Sequence, residues 1–173
     1  MQAVPTPNMA MPLVRPKDDT REWVLAFQGG GNTRILAEFI PKGDNIKQWN
    51  EMFIQQIDFT KASLRDYVND WKAMLLKADP KITITETKLA DGSFLMTFLS
   101  VASAPAQGEE QVRRFIREKD AIYQMSYSVR PSLRNEDKWK SWVEAITQAR
   151  LVKNPIKQPV KQRRGLPRLG DLF

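Results

Sequence analysis

The sequence predicts an α+β fold: one antiparallel sheet of about six strands flanked by helices, an α/β/α sandwich in the order β-β-α-α-β-β-β-β-α. Three observations predict it. Strand-length segments with period-two alternation follow one another through short turns, which implies antiparallel pairing. Stretches with apolar stripes at helical spacing are grouped between runs of strands and do not alternate with them. A chain of 173 residues, 42% of them apolar, also suffices for a single domain with its own core.

The elements follow in order. Residues 1–20 hold Pro5, Pro7, Pro12 and Pro16 with little periodicity and read as an extended leader. In 22–28, Trp23, Leu25 and Phe27 share one face of a strand by alternation. The run Gly29, Gly30, Gly31 and Asn32 then invites a phosphate-binding reading. A Walker-type loop, however, needs Lys-Ser/Thr and a helix N-terminus behind it, so that amides face the phosphate. Here Thr33 and Arg34 lead into a second strand over 34–40, so the glycines read as a hairpin turn. After Pro41, Asp44 or Asn45 caps a helix predicted over 46–56 with the inward stripe Ile46, Trp49, Phe53 and Ile57.

A second helix is predicted over 63–78, with Leu64, Val68, Trp71 and Leu75 inward, Ser63 and Asp66 forming its cap, and Asp79-Pro80 stopping it. Strands follow at 82–87, at 93–101 through an Asp91-Gly92 turn, and at 110–118 and 121–129 through Lys119-Asp120. The apolar run 93–101 suits a central strand, and the last two have mixed faces. A closing helix over 135–150 carries Trp139, Trp142, Val143 and Ile146 on one stripe. The α+β domain so defined spans 21–152, and 153–173 form a basic, Pro-containing C-terminal arm.

Composition excludes several chemistries. Without Cys there are no disulfides, thiol nucleophiles or Cys-ligated metals. Without His there is no imidazole base, and no Ser-His-Asp or Cys-His arrangement. Any enzyme here would have to work with carboxylates, Lys, Tyr or a carboxylate-bound hard metal. No motif calls for a cofactor. The net charge of +7 is uneven, because residues 151–173 carry +5 of it and the rest of the chain is nearly neutral. No apolar run reaches the roughly 20 residues of a membrane helix. The opening Met1 to Pro5 reads as a mature N-terminus behind an initiator Met, with an upstream secretory signal removed. That points to a periplasmic or otherwise exported location, with the cytoplasm as the alternative.

The Trp23-led strand, the strand closing in Glu38, Phe39, Ile40 and Pro41, and the segment from Asp44 to Glu51 come in a telling order. With the Asp91-Gly92 hairpin, the strand 110–116, the aromatic strand from Tyr123 to Tyr127 and the Trp-bearing closing helix, they resemble the Mog1/PsbP-like α/β/α sandwich family. The resemblance spans roughly residues 20–152 and is similar above all to small bacterial exported proteins of unassigned role. It implies a non-catalytic binding or assembly protein with no shared catalytic residues. The lipidation Cys of the family's lipoproteins is missing.

Among candidate site residues, Asp58, Asp66, Asp70 and Asp79 invite a metal or acid-base role, but the helical spacing of Asp66 and Asp70 puts them on a solvated face. Glu109 and Glu110 read as an exposed strand start. Glu86, alternating with Ile82 and Ile84, is expected in a strand-end salt bridge with Arg113, Arg114 or Arg117. Core packing accounts for at least four of the five Trp, leaving no base-stacking platform.

The arm is what folding does not explain. It reads either as a solvated terminus or as a docking arm, on which Lys157, Lys161, Arg163, Arg164 and Arg168 are expected to steer approach and Leu169, Leu172 and Phe173, with Leu166, to anchor a protein partner. The expectation is therefore a non-catalytic module, a component or accessory of a larger cell-envelope or secretion-type complex. The alternative is a nucleic-acid-binding protein acting through the arm, although no aromatics are interleaved with its cations. A carboxylate hydrolase centred on Glu86 stands behind both.

Overall fold

The computed structural model describes residues 9–100 and 108–153. The chain runs β1 (Met9–Ala10), β2 (Trp23–Gly30), β3 (Arg34–Pro41), β4 (Glu51–Phe59), α1 (Leu64–Ala78), β5 (Thr83–Lys88), β6 (Phe94–Ser100), β7 (Glu109–Glu118), β8 (Ala121–Val129), α2 (Glu136–Gln148) and β9 (Val152–Lys153). Seven strands pair in the order β2-β3-β4-β8-β7-β6-β5, and β1 pairs with β9 in a separate two-stranded ribbon. Every ladder is antiparallel, so the molecule is α+β.

One predicted helix is a strand. Residues 46–56 form a short 3₁₀ turn at Ile46–Gln48, capped by Asn45, and then β4. The stripe misled because a spacing of four fits both periods: Phe53 and Ile57 share a face in a helix and in a strand alike. The segment pairs with β3 on one side and β8 on the other, which buries Met52 and Phe53 on opposite faces. The sheet therefore gains a seventh strand, and two long helices remain instead of three. Trp49, expected inward, sits half-buried outside the core clusters, with the Arg130 guanidinium 3.8 Å from its ring centroid.

The two helices form where their stripes and caps place them. Ser63 accepts a bond from the Asp66 amide at the start of α1, and Asn135 from the Lys138 amide at the start of α2. α2 buries Trp139, Trp142 and Ile146 against Phe53, Val112, Met125 and Tyr127. Trp142 stacks on Tyr127 with ring centroids 4.2 Å apart. α1 packs Val68 against Phe94, Met96, Phe115 and Ile122, with Leu64, Trp71 and Leu75 alongside. Val112 and Phe115 differ in parity along β7, so the helices lie on opposite faces of the sheet.

The segment read as an extended leader runs over the α2 face from Met9 onward. The Met9 amide donates to the Tyr123 hydroxyl at 3.2 Å, and Gln55 Nε2 donates to the carbonyls of Met11 and Pro12 at 3.1 and 2.8 Å. Met11 and Val14 pack on the core. The glycine run is a hairpin turn between β2 and β3, closed by the Gly31 amide on the Arg34 carbonyl at 2.7 Å. A side chain at Gly30 would put Cβ 2.5 Å from that carbonyl oxygen, which is why glycine is required there.

Candidate functional site

On the face that carries α1, the three central strands present polar side chains where a two-sided sheet normally presents apolar ones. Gln56, Asp58, Gln111, Arg113, Gln124, Ser126 and Ser128 are all buried. Each occupies an alternate position of β4, β7 or β8, so they share the face by the period of two. Buried polar groups require partners, and here they find them in one another.

Asp58 is the acceptor at one end. Arg34 Nε donates to its Oδ1 at 2.6 Å, and Gln56 Nε2, Tyr67 OH and Gln124 Nε2 each donate to its Oδ2 at 2.6 Å. The chain of bonds continues through Gln124 Oε1, which accepts from Arg113 Nη1 at 2.7 Å. Arg113 Nε donates to Gln111 Oε1 at 2.8 Å, and Gln111 Nε2 donates to Ser128 Oγ at 2.6 Å. Trp71 of α1 lies beneath the guanidinium, 4.6 Å from ring centroid to Arg113 Cζ.

The electrostatics differ from one end to the other. Arg34 matches the charge of Asp58 directly. Arg113 has two neutral amide oxygens and no described carboxylate in an ion pair; burial pushes its guanidinium down to about 10, against the distant pull of Glu109 and Asp58. Burial likewise raises the carboxyl of Glu109, with Arg113 and Arg130 opposing. Beside Arg113, the Ser126 hydroxyl is buried with no hydrogen-bond partner. Asp58 commits its two carboxylate oxygens to four donors. Arg113 and Ser126 are the groups left to do something.

The carboxylates picked out from the sequence fall elsewhere. Glu86 pairs with Arg65 and Lys72 of α1, the latter at 3.0 Å, and not with Arg113, Arg114 or Arg117. The reason is topological: the α1 side stripe of Arg65 and Lys72 overhangs β5, whereas Arg113 lies two strands away. Burial would raise the Glu86 carboxyl, and these two cations hold it below its ordinary value. Asp66 and Asp70 are exposed, as the helical spacing required, and Asp79 accepts from Ser100 Oγ at 2.8 Å. Glu109 and Glu110 are half-buried, not exposed, and Glu110 pairs with Arg134 at 2.6 Å. Among the described residues no group of three or more His, Cys, Asp or Glu could hold a metal. The arm residues Lys157, Lys161, Arg163, Arg164, Arg168, Leu169, Leu172 and Phe173 lie outside the described residues.

Arg113, Gln111, Gln124, Ser126 and Ser128 were not singled out from the sequence. Their signal is the polar alternation of two consecutive strands, which is ordinarily read as a solvent-facing side. Only the placement of α1 over that side turns it inward.

The sheet also has two unlike edges. β2 is interrupted by a register shift between Leu25 and Phe27, a bulge of the kind that blunts an edge. β5 pairs with β6 in unbroken register, and among the described residues its other side is open. Thr83, Thr85, Thr87, Lys81 and Lys88 are exposed along it, and Leu76 of α1, 46% exposed, lies one turn beyond Lys72 on the stripe that reaches Glu86. No protein-family model matches the chain, and no curated protein matches it either.

Proposed function

We propose that the chain is a non-catalytic binding or assembly module, an exported accessory of a larger cell-envelope or secretion-type complex, built as a sandwich of the Mog1/PsbP-like kind. The observation that carries the reading is the β5 edge. An unbroken open strand offers backbone donors and acceptors to an extended segment of another protein, and Leu76 beside it offers an apolar contact. The exposed Lys81 and Lys88 favour a segment with acidic residues. The carboxylates support the same reading, since Glu51, Asp58 and Glu86 are each committed to structural cations or hydroxyls. The basic arm then adds steering and further anchors to the same partner.

The test is affinity capture from the source cell envelope with the full chain, a Lys88→Pro variant, which removes an amide that faces the open edge and not β6, and a truncation after Lys153. A partner held by the full chain and weakened by both changes is the expected outcome. A partner indifferent to both changes would sink the reading. The rival, nucleic-acid binding through the arm, rests on the +5 charge of residues 151–173. It requires steeply salt-dependent DNA or RNA binding that disappears with the truncation.

A further inference from the structure

One register row crosses the whole α1 face: Phe27, Glu38, Ile54, Ser126, Arg113, Met96 and Glu86 lie opposite one another from β2 to β5. α1 covers one end of this row, through its ion pairs to Glu86 and the Trp71 ring under Arg113. At the other end Phe27, Glu38 and Ile54 remain half-buried, and neither helix packs there. Ser126 and Arg113 are the adjoining pair where the covered half meets the open half.

Two facts about that pair are unusual together. The Arg113 guanidinium is buried, with Nε and Nη1 held by neutral amide oxygens and Nη2 without a hydrogen bond among the described residues. A buried charge is ordinarily paired; Glu109 and, more weakly, Asp58 act on Arg113 without an ion pair to it, and Asp58 is already matched by Arg34. Directly across the ladder, Ser126 is 1% exposed, and its buried hydroxyl has no partner. Side chains at opposed positions of an antiparallel pair start about 5 Å apart, so one small group can reach both.

We infer that Arg113 and Ser126 form a recognition site for a small monoanionic carboxylate, one oxygen accepting from the guanidinium and the other from the serine hydroxyl. The group supplies the negative charge that Arg113 lacks and the acceptor that Ser126 lacks. A carboxylate matches this better than a multiply charged anion, because Asp58 and Glu109 both lie close enough to act on Arg113 and would repel additional charge. The network from Ser128 through Gln111 to Arg113, and from Asp58 through Gln124 to Arg113, fixes the guanidinium before any ligand arrives. The site is separate from the β5 edge and does not depend on it.

Acetate and phosphate, titrated at constant ionic strength, test this. The readouts are the ¹⁵N shifts of Arg113 Nε and the Ser126 amide in the full chain. Acetate is expected to give saturable shifts centred on β7 and β8. Ser126→Ala, which removes one bond to a charged group, is expected to weaken the response by about tenfold. That variant deletes an unpartnered atom and keeps the strand, so the fold is retained while the site loses one donor. An acetate response unchanged in Ser126→Ala would mean that the hydroxyl binds water alone, and would overturn the proposal. So would a lack of saturation, or a stronger response to phosphate than to acetate.

Discussion

Arg113 and Arg114 are neighbours in sequence, both buried, at 6% and 1% exposure, and opposite in situation. Consecutive residues of β7 point to opposite faces. Arg114 therefore lies on the α2 side, where its Nη1 donates to the last carbonyls of α2, Thr147 and Ala149 at 2.6 Å and Ile146 at 3.3 Å. Its Nη2 pairs with Asp91, and Nε donates to Ser93 Oγ at 3.1 Å. One side chain thus ties the C-terminus of α2, where the helix dipole favours a cation, to the hairpin that starts β6. Arg113 makes fewer hydrogen bonds, all to neutral groups of β7 and β8, and meets α1 only through the Trp71 ring. The difference teaches that burial alone does not say what an arginine is for; the charge and number of its acceptors do.

The comparison can be broken by measurement. The largest effect is expected from Arg114→Met, which strands three helix-terminal carbonyls and should cost about 3 kcal/mol in urea unfolding. Glu51→Gln comes next. Glu51 takes two bonds from Arg21, at 3.0 and 2.9 Å, one from Lys138 at 2.6 Å and one from Tyr127 OH at 2.8 Å. Its loss should cost about 2 kcal/mol.

The same residue sets a pH dependence. Burial alone would raise the Glu51 carboxyl, but its bonds outweigh burial and hold it below its ordinary 4.5. A carboxyl lowered in the folded state contributes full stability above its unfolded value and loses it as the pH falls through the folded one. The wild type should therefore weaken on acidification below about pH 4.5, and Glu51→Gln should flatten that limb. Glu109, raised by burial, has the opposite sign. Its penalty is absent at low pH and grows as the pH rises through its raised folded value, so Glu109→Gln should gain stability near neutrality.

Arg113→Met should cost no more than about 1 kcal/mol, because the relief of a poorly compensated buried charge offsets the lost bonds. If it cost as much as Arg114→Met, the contrast between the two would fail. Smallest of all, Ser126→Ala should leave the urea midpoint within about 0.5 kcal/mol of wild type, since its hydroxyl makes no bond to lose.

Much of the fold was legible in local signals. The α1 cap at Ser63, the apolar stripes of both helices and the bounds of β8 all rest on residues close in sequence. What failed was 46–56, where the apolar spacing satisfied two periods and only pairing with β3 and β8 could choose between them. The candidate site was hidden for a related reason. Gln111 and Arg113, with Gln124, Ser126 and Ser128, look like a wet strand face until α1, brought across from a distant part of the chain, covers it.

By itself, the sequence determined the class of the fold, the two helices, the glycine hairpin and the impossibility of imidazole or thiol chemistry. Those follow from composition, caps and short-range periodicity, which act within a few residues. The tertiary structure alone decided which strands are central, that Glu86 answers to Arg65 and Lys72, and that adjacent arginines serve as a staple and as an unmatched charge. Those depend on side chains meeting across strands and helices far apart in the chain, where register and burial, not local pattern, choose the partner.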